Sequence, residues 1–153
     1  MGIHVLQRRQ IVAAPLENCW RFFSDPRNLA KITPPALDFQ IIGEPAAEMY
    51  AGMMIQYRVR PLLGIPMRWL TEITRVEPMR YFVDEQRVGP YKVWHHEHWF
   101  SSVNAAETEV RDVVHYVLPF GPLGDVVNTL VVQRELREIF DFREAQVGTS
   151  GIS

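Results

Sequence analysis

Turn residues divide the sequence between residues 37 and 118 into short segments, and the links between these segments are too short to contain a crossover helix. The breaks fall at Gly43-Glu44-Pro45, Pro61–Gly64, Glu77-Pro78, Gly89-Pro90 and Asn104–Ala106. They delimit six predicted strands, at roughly 37–43, 53–60, 66–77, 80–87, 91–103 and 107–118. Parallel strands need connections of a dozen or more residues, so links this short predict an antiparallel meander.

Helical patterns lie on both sides of this meander. A first strand at residues 4–13 ends at Ala14-Pro15, and Leu16, Cys19, Trp20 and Phe23 then form one apolar stripe. Asp25 is a suitable cap for a second short helix, which we expect to end near Ile32. After Phe120–Gly124, residues 122–144 predict one long helix.

Composition limits the class of protein. With 153 residues, 47% hydrophobic and 22% charged, we expect a single ligand-binding domain at residues 1–147 and a flexible tail at 148–153. The net charge of −2 and the lack of a basic cluster argue against nucleic-acid binding. Cys19 is the only cysteine, which excludes an intrachain disulfide and a multi-cysteine metal site. The sequence has no apolar run typical of a signal peptide or a membrane span, so we expect a cytoplasmic protein with no stable membrane insertion. We expect it to be a monomer or a weak homodimer.

Three strings carry a family resemblance: "APLENCWRFFSDPRNLAKITPP", "VDEQRVGPYKVWHHEHWF" and "VHYVLPFGPLGDVV". Together they resemble the SRPBCC superfamily, which includes START lipid-transfer and pollen-allergen-like proteins, in its polyketide cyclase/CoxG-like bacterial branch. The likeness covers about residues 3–144. It implies the α+β helix-grip fold, in which a curved antiparallel sheet of about seven strands wraps around a long C-terminal helix, with two short helices after the first strand.

Alternation along the strands predicts which side chains face the interior. In strand 91–103, Trp94, His96, His98 and Phe100 share one face, whereas His95 points to the other. If the apolar members of each strand point inward, polar neighbours of the same parity must point inward with them. The predicted ligand-binding residues are therefore Tyr57, Trp69, Asp84, Gln86, Trp94, His96, His98, Asp112 and Tyr116.

The polar members of this set allow three interpretations. They form a purely structural network, with Asp112 paired to His98 and Asp84 to His96, or they contact a ligand, or they serve catalysis or a metal. We expect no metal at His96 and His98, because the sequence does not name a third ligand, and we expect no cofactor. Trp69 and Trp94 are expected to supply most of the contact area for a ligand.

The leading functional hypothesis is binding or transport of a hydrophobic small molecule, such as a lipid, an aromatic or a polyketide-like compound, without catalysis. One alternative is a cyclase- or dehydratase-type enzyme with His96 or His98 as general base. Another is a CoxG-like accessory protein that docks onto a larger assembly. An enzyme requires an open path to the histidines, whereas an accessory role predicts a filled interior and an exposed apolar patch.

Overall fold

The computed structural model describes residues 2–150 and 152. In chain order the elements are β1 (His4–Val12), α1 (Leu16–Phe23), 3-10 helices at Pro26–Ile32 and Pro35–Leu37, β2 (Gln40–Ile42), β3 (Met54–Leu62), β4 (Ile65–Glu77), β5 (Tyr81–Val88), β6 (Val93–Asn104), β7 (Glu107–Val117), α2 (Gly121–Val127), a π-helical turn at Asn128–Val132, and α3 (Gln133–Ser150). The predicted order of elements and the helix-grip fold are confirmed.

All seven strands of the described chain join one antiparallel sheet, in the order β1-β7-β6-β5-β4-β3-β2. Strands β2 to β7 are neighbours in sequence, as short turns require, whereas β1 pairs with β7 from the opposite end of the chain. Residues of β6 pair with residues of β5 and, as far as Ser102, with residues of β7 without a register shift, with Asp84 opposite His96 and His98 opposite Asp112. This register brings the polar inner-face residues of three strands together.

Within the described residues, three apolar clusters fill the concave side of the sheet, the smallest of which comprises Met53, Ile55 and Ile73. At one end, α1 packs through Cys19 and Trp20 against Phe82 and Phe100. At the other, Val132, Leu136 and Phe140 of the C-terminal helix pack among apolar side chains that include Trp69, Tyr91, Val114 and Tyr116. The interior is therefore closed by two helices that approach from different ends of the chain.

Several boundaries differ from those expected. The second short helix is 3-10, and β2 is limited to Gln40–Ile42 because the chain makes a further 3-10 turn at Pro35–Leu37 and a left-handed turn at Asp38. The long helix contains the π-helical turn and continues to Ser150. Residues 148–150 of the predicted flexible tail thus belong to the helix, and Ile152 is buried in the same cluster as Val147, while Gly151 and Ser153 lie outside the described residues; the flexibility of this segment stays a prediction.

Within residues 2–150 and 152, no helix combines the length and the apolar character needed to cross a membrane.

Candidate functional site

A cavity of about 110 Å³ lies between strands β2 to β6, α1 and the first 3-10 helix. Its apolar wall comes from both helices and from the sheet and includes Phe22, Phe23, Leu29, Ile32, Phe39, Ile41, Met49, Ile55, Ile73 and Phe82. Its polar end is formed by Tyr57, Thr71, Asp84, His96, His98 and Arg143. The cavity thus has a mainly apolar wall, in which Asp25 and Asn28 at the start of the first 3-10 helix are polar, and one cluster rich in charged and titratable groups.

The polar end is organised around two stacked imidazoles. The rings of His96 and His98 lie 3.7 Å apart between centroids, and the residues are 4% and 8% exposed. His96 Nε2 contacts Asp112 Oδ1 at 2.8 Å, and His98 Nε2 contacts Asp84 Oδ2 at 2.5 Å. In each of these contacts the aspartate is not the residue directly opposite the histidine in the neighbouring strand. The expected pairing of Asp112 with His98 and Asp84 with His96 is therefore wrong for the shortest contacts. The register partners still meet, at 3.4 and 3.5 Å.

Burial and mutual contacts change the pKa values of the side chains in this cluster. Burial lowers the pKa of His98 to about 4, and the neighbouring His96 adds to this decrease. Burial alone would raise the pKa of Asp112, but the hydrogen bond with His96 and the electrostatic interactions with the two imidazoles and Arg143 lower it to about 2. The pKa of Asp84 is lowered as well, because contacts with His96 and His98 outweigh its burial. Both carboxylates are therefore ionised at neutral pH, next to a neutral His98.

Arg143 completes the polar end and was missed from the sequence. Its Nη1 lies 3.8 Å from Asp112 Oδ1, its guanidinium lies over the ring of Phe140 at 4.9 Å, and its Nε is buried without a hydrogen-bond partner. The signal was present, because Arg143 interrupts the stripe Leu136, Phe140 and Val147 that α3 buries against the sheet. A positive side chain at such a position indicates a polar environment inside the fold.

The predicted residues separate into two groups. Tyr57, Asp84, His96 and His98 line the cavity, and burial raises the pKa of Tyr57 above its usual range, so that its phenol stays neutral. Asp112 is 8% exposed and lies behind the histidines. All of these side chains point inward, as strand alternation predicted.

The other predicted residues do not line this cavity. Gln86 is bonded to both backbone groups of Tyr91 and holds the β5–β6 turn, at 2.6 and 3.0 Å. Tyr116 donates to Asn128 Oδ1 at 2.7 Å. Trp69 and Trp94 pack edge to face and are covered by the C-terminal helix, so the prediction that they supply ligand contact area does not hold for this cavity. Strand parity places them on the correct face but does not reveal which part of that face the helix fills.

The cluster also contains a set of potential metal ligands. One donor atom each from Asp84, His96 and His98 lies within 4.8 Å of the others. Two imidazoles and one carboxylate suit zinc or ferrous iron, so the structure supplies the third ligand that the sequence did not name.

The family model described as "Polyketide cyclase / dehydrase and lipid transport" matches residues 12–142. No curated protein matches the sequence closely enough to indicate a relative.

Solved structures share the fold at low sequence identity. The aromatase/cyclase ZhuI from Streptomyces sp. R1128 superposes with a TM-score of 0.69 at 17% identity, covering 99% of this chain and 100% of that chain. Norcoclaurine synthase from Thalictrum flavum, in complex with dopamine and hydroxybenzaldehyde, gives 0.66 at 16% identity, covering 95% and 87%. The protein TTHA0849 from Thermus thermophilus gives 0.67 at 19% identity, covering 94% and 97%. At these identities the likeness concerns the fold alone.

Proposed function

Because the chain belongs to the polyketide cyclase/dehydrase and lipid transport family of the SRPBCC superfamily, we propose that it binds a small hydrophobic molecule in the cavity between the sheet and its helices. The observation that carries this proposal is the division of the cavity into an apolar wall and a polar end with buried charges. Apolar contact supplies affinity in such sites, and a few polar groups fix orientation.

The size of the cavity restricts the ligand. A volume of about 110 Å³ approaches that of an engineered protein cavity of about 150 Å³ that holds benzene. We therefore propose a molecule with one ring, or a short acyl chain, carrying one polar group that points to Tyr57, His98 and Arg143. Norcoclaurine synthase, whose bound dopamine and hydroxybenzaldehyde each have a single ring, supports this size class. A lipid or a multi-ring polyketide requires the helices to move outward.

Filling the cavity is expected to abolish binding of a single-ring probe. Leu29 lies on the 3-10 helix at the cavity wall, so Leu29→Trp places an indole where the probe would bind. For the wild type, 4-methylphenol at about 100 times its dissociation constant should stabilise the fold by about 2.7 kcal/mol in thermal unfolding. Leu29→Trp should lose this stabilisation.

Val103→Trp is the matched control, because it adds the same indole at a position that is 53% exposed, near the β6–β7 turn. It should keep the wild-type response to 4-methylphenol. Toluene has the same shape without the hydroxyl and should bind about 10–150-fold more weakly, since a hydrogen bond to a charged group contributes about 1.5–3 kcal/mol. If the wild type responds to neither probe, the binding proposal fails.

A second candidate function rests on the short contact between His98 Nε2 and Asp84 Oδ2 at the cavity wall. A carboxylate that orients an imidazole is a common arrangement for a general base, and a cyclase- or dehydratase-type reaction begins by removing a proton next to a carbonyl. The second nitrogen, His98 Nδ1, faces Asp112 at 3.4 Å, so this role requires the ring to turn until one nitrogen faces the cavity. For an enzyme of this type, the protein should accelerate exchange of the methyl protons of acetophenone in deuterated buffer. His98→Gln should abolish that exchange while 4-methylphenol still binds. Exchange at the buffer rate with wild-type protein would remove this alternative.

A further inference from the structure

The two carboxylates of the buried cluster do not have equivalent contacts with the histidines. Asp112 Oδ1 faces Nε2 of His96 at 2.8 Å and Nδ1 of His98 at 3.4 Å. Asp84 Oδ2 faces the remaining nitrogen of each ring, Nδ1 of His96 at 3.5 Å and Nε2 of His98 at 2.5 Å. Each imidazole therefore has one nitrogen directed at Asp112 and one at Asp84.

Asp112 has the position of a carboxylate that orients metal-binding histidines. An imidazole that donates its N–H to a carboxylate presents the lone pair of its other nitrogen on the opposite side of the ring. If both rings donate to Asp112, both lone pairs and Asp84 Oδ2 face one another. Such an arrangement needs a positive charge between these three atoms, which a metal ion would supply. Without a metal, a neutral His98 avoids it by carrying its proton on Nε2 and donating it to Asp84 Oδ2.

We propose that Asp84, His96 and His98 bind one divalent transition-metal ion, with Asp112 as the carboxylate that orients both imidazoles. Donor atoms on one such ion lie about 3 Å apart, given bond lengths of about 2.0–2.2 Å. The 3.5 Å contact between His96 Nδ1 and Asp84 Oδ2 is close to this spacing. The 2.5 Å contact of His98 Nε2 must lengthen as the metal replaces the proton, which moves to Nδ1 and towards Asp112.

Charge and access are compatible with a cation. Asp84 and Asp112 place two carboxyl groups against the imidazoles, and the guanidinium of Arg143 lies 3.8 Å from Asp112, so a further cation, either a proton on an imidazole or a metal ion, would balance the cluster. All three proposed ligands also line the cavity, so the open coordination positions face the space where a small molecule binds. Two nitrogen ligands favour Zn²⁺, Fe²⁺ or Co²⁺ over Mg²⁺ or Ca²⁺.

Metal titration of chelator-treated protein tests the proposal without any organic ligand, so its result does not depend on the small-molecule hypothesis. One equivalent of Zn²⁺ should bind by calorimetry, and Co²⁺ should give a visible absorption band that Zn²⁺ removes. Asp84→Asn and His98→Gln should each weaken Zn²⁺ binding by more than about 100-fold, whereas Asp112→Asn, which changes only the orienting carboxylate, should weaken binding by about 10–100-fold.

The matched control is His95→Gln. His95 lies on the convex face of β6, with Glu85 at 3.1 Å and Glu97 at 3.4 Å, so it is a histidine with neighbouring carboxylates outside the proposed site. The variant should bind Zn²⁺ as the wild type does, and circular dichroism should show every variant to be folded. The proposal is overturned if the wild type binds no stoichiometric metal, and this result can be interpreted without any variant. It is equally overturned if His95→Gln, and not His98→Gln, removes the binding.

Discussion

The unfolding free energy of the metal-free protein should fall by about 3 kcal/mol between pH 7 and pH 4 through His98 alone. The pKa of this side chain is lowered from 6.5 to about 4 by burial and by its neighbour His96, against the opposing effect of Asp84 and Asp112. Within this window the unfolded chain binds a proton that the folded protein does not. Stability therefore rises with pH from about 4 to about 6.5 and is then constant as far as His98 is concerned.

Urea unfolding at several pH values, with chelator present, measures this effect. His98→Gln should remove most of the slope between about pH 4 and 6.5, whereas His95→Gln, on the convex face, should keep it. Asp84 and Asp112 contribute in a different range, because their lowered pKa values place the loss of their stabilisation below about pH 4. An unchanged slope in His98→Gln would assign the acid sensitivity to another group.

Phe140→Ala is expected to destabilise the protein by about 3–5 kcal/mol, the range for removal of a buried aromatic ring. Phe140 is 4% exposed, its ring lies 5.7 Å from that of His96, and the guanidinium of Arg143 lies over it at 4.9 Å. The variant thus leaves a void beside the buried cluster and removes the surface on which Arg143 rests. Chemical denaturation at pH 7 gives the difference in free energy directly.

Leu130→Ala is the control for this substitution, because Leu130 lies in the same C-terminal helical segment but is 71% exposed. Its effect should stay within about 0.5 kcal/mol. Equal effects of the two substitutions would mean that the helix is not anchored to the sheet through Phe140.

The fold could be predicted from the sequence because its signals are local. Closely spaced turns determine the antiparallel order, and strand parity places Asp84, His96 and His98 on the inner face. Parity does not, however, determine side-chain rotation, so the crossed contacts of His96 with Asp112 and His98 with Asp84 were not foreseen.

The remaining differences arise from contacts between distant parts of the chain. Trp69 and Trp94 were expected in the cavity, but the side chains of α3 fill the half of the sheet where they lie. Arg143 reaches the cluster from the same helix, although it is far from Asp112 in sequence. The alternation of side chains along a strand does not determine where a helix from the end of the chain packs against the sheet.

The pairing of β1 with β7 has a consequence for synthesis on the ribosome. His4 is opposite Tyr116, so the first strand to emerge must wait for the last one. At about 5–20 residues per second, this wait lasts roughly 5–20 s. During that interval one edge of β1 is free to pair with other chains, and the partner that protects it appears only when nearly all of the sheet has been translated. Arg143 follows later still, so the polar end of the cavity is completed only after the whole sheet has been translated.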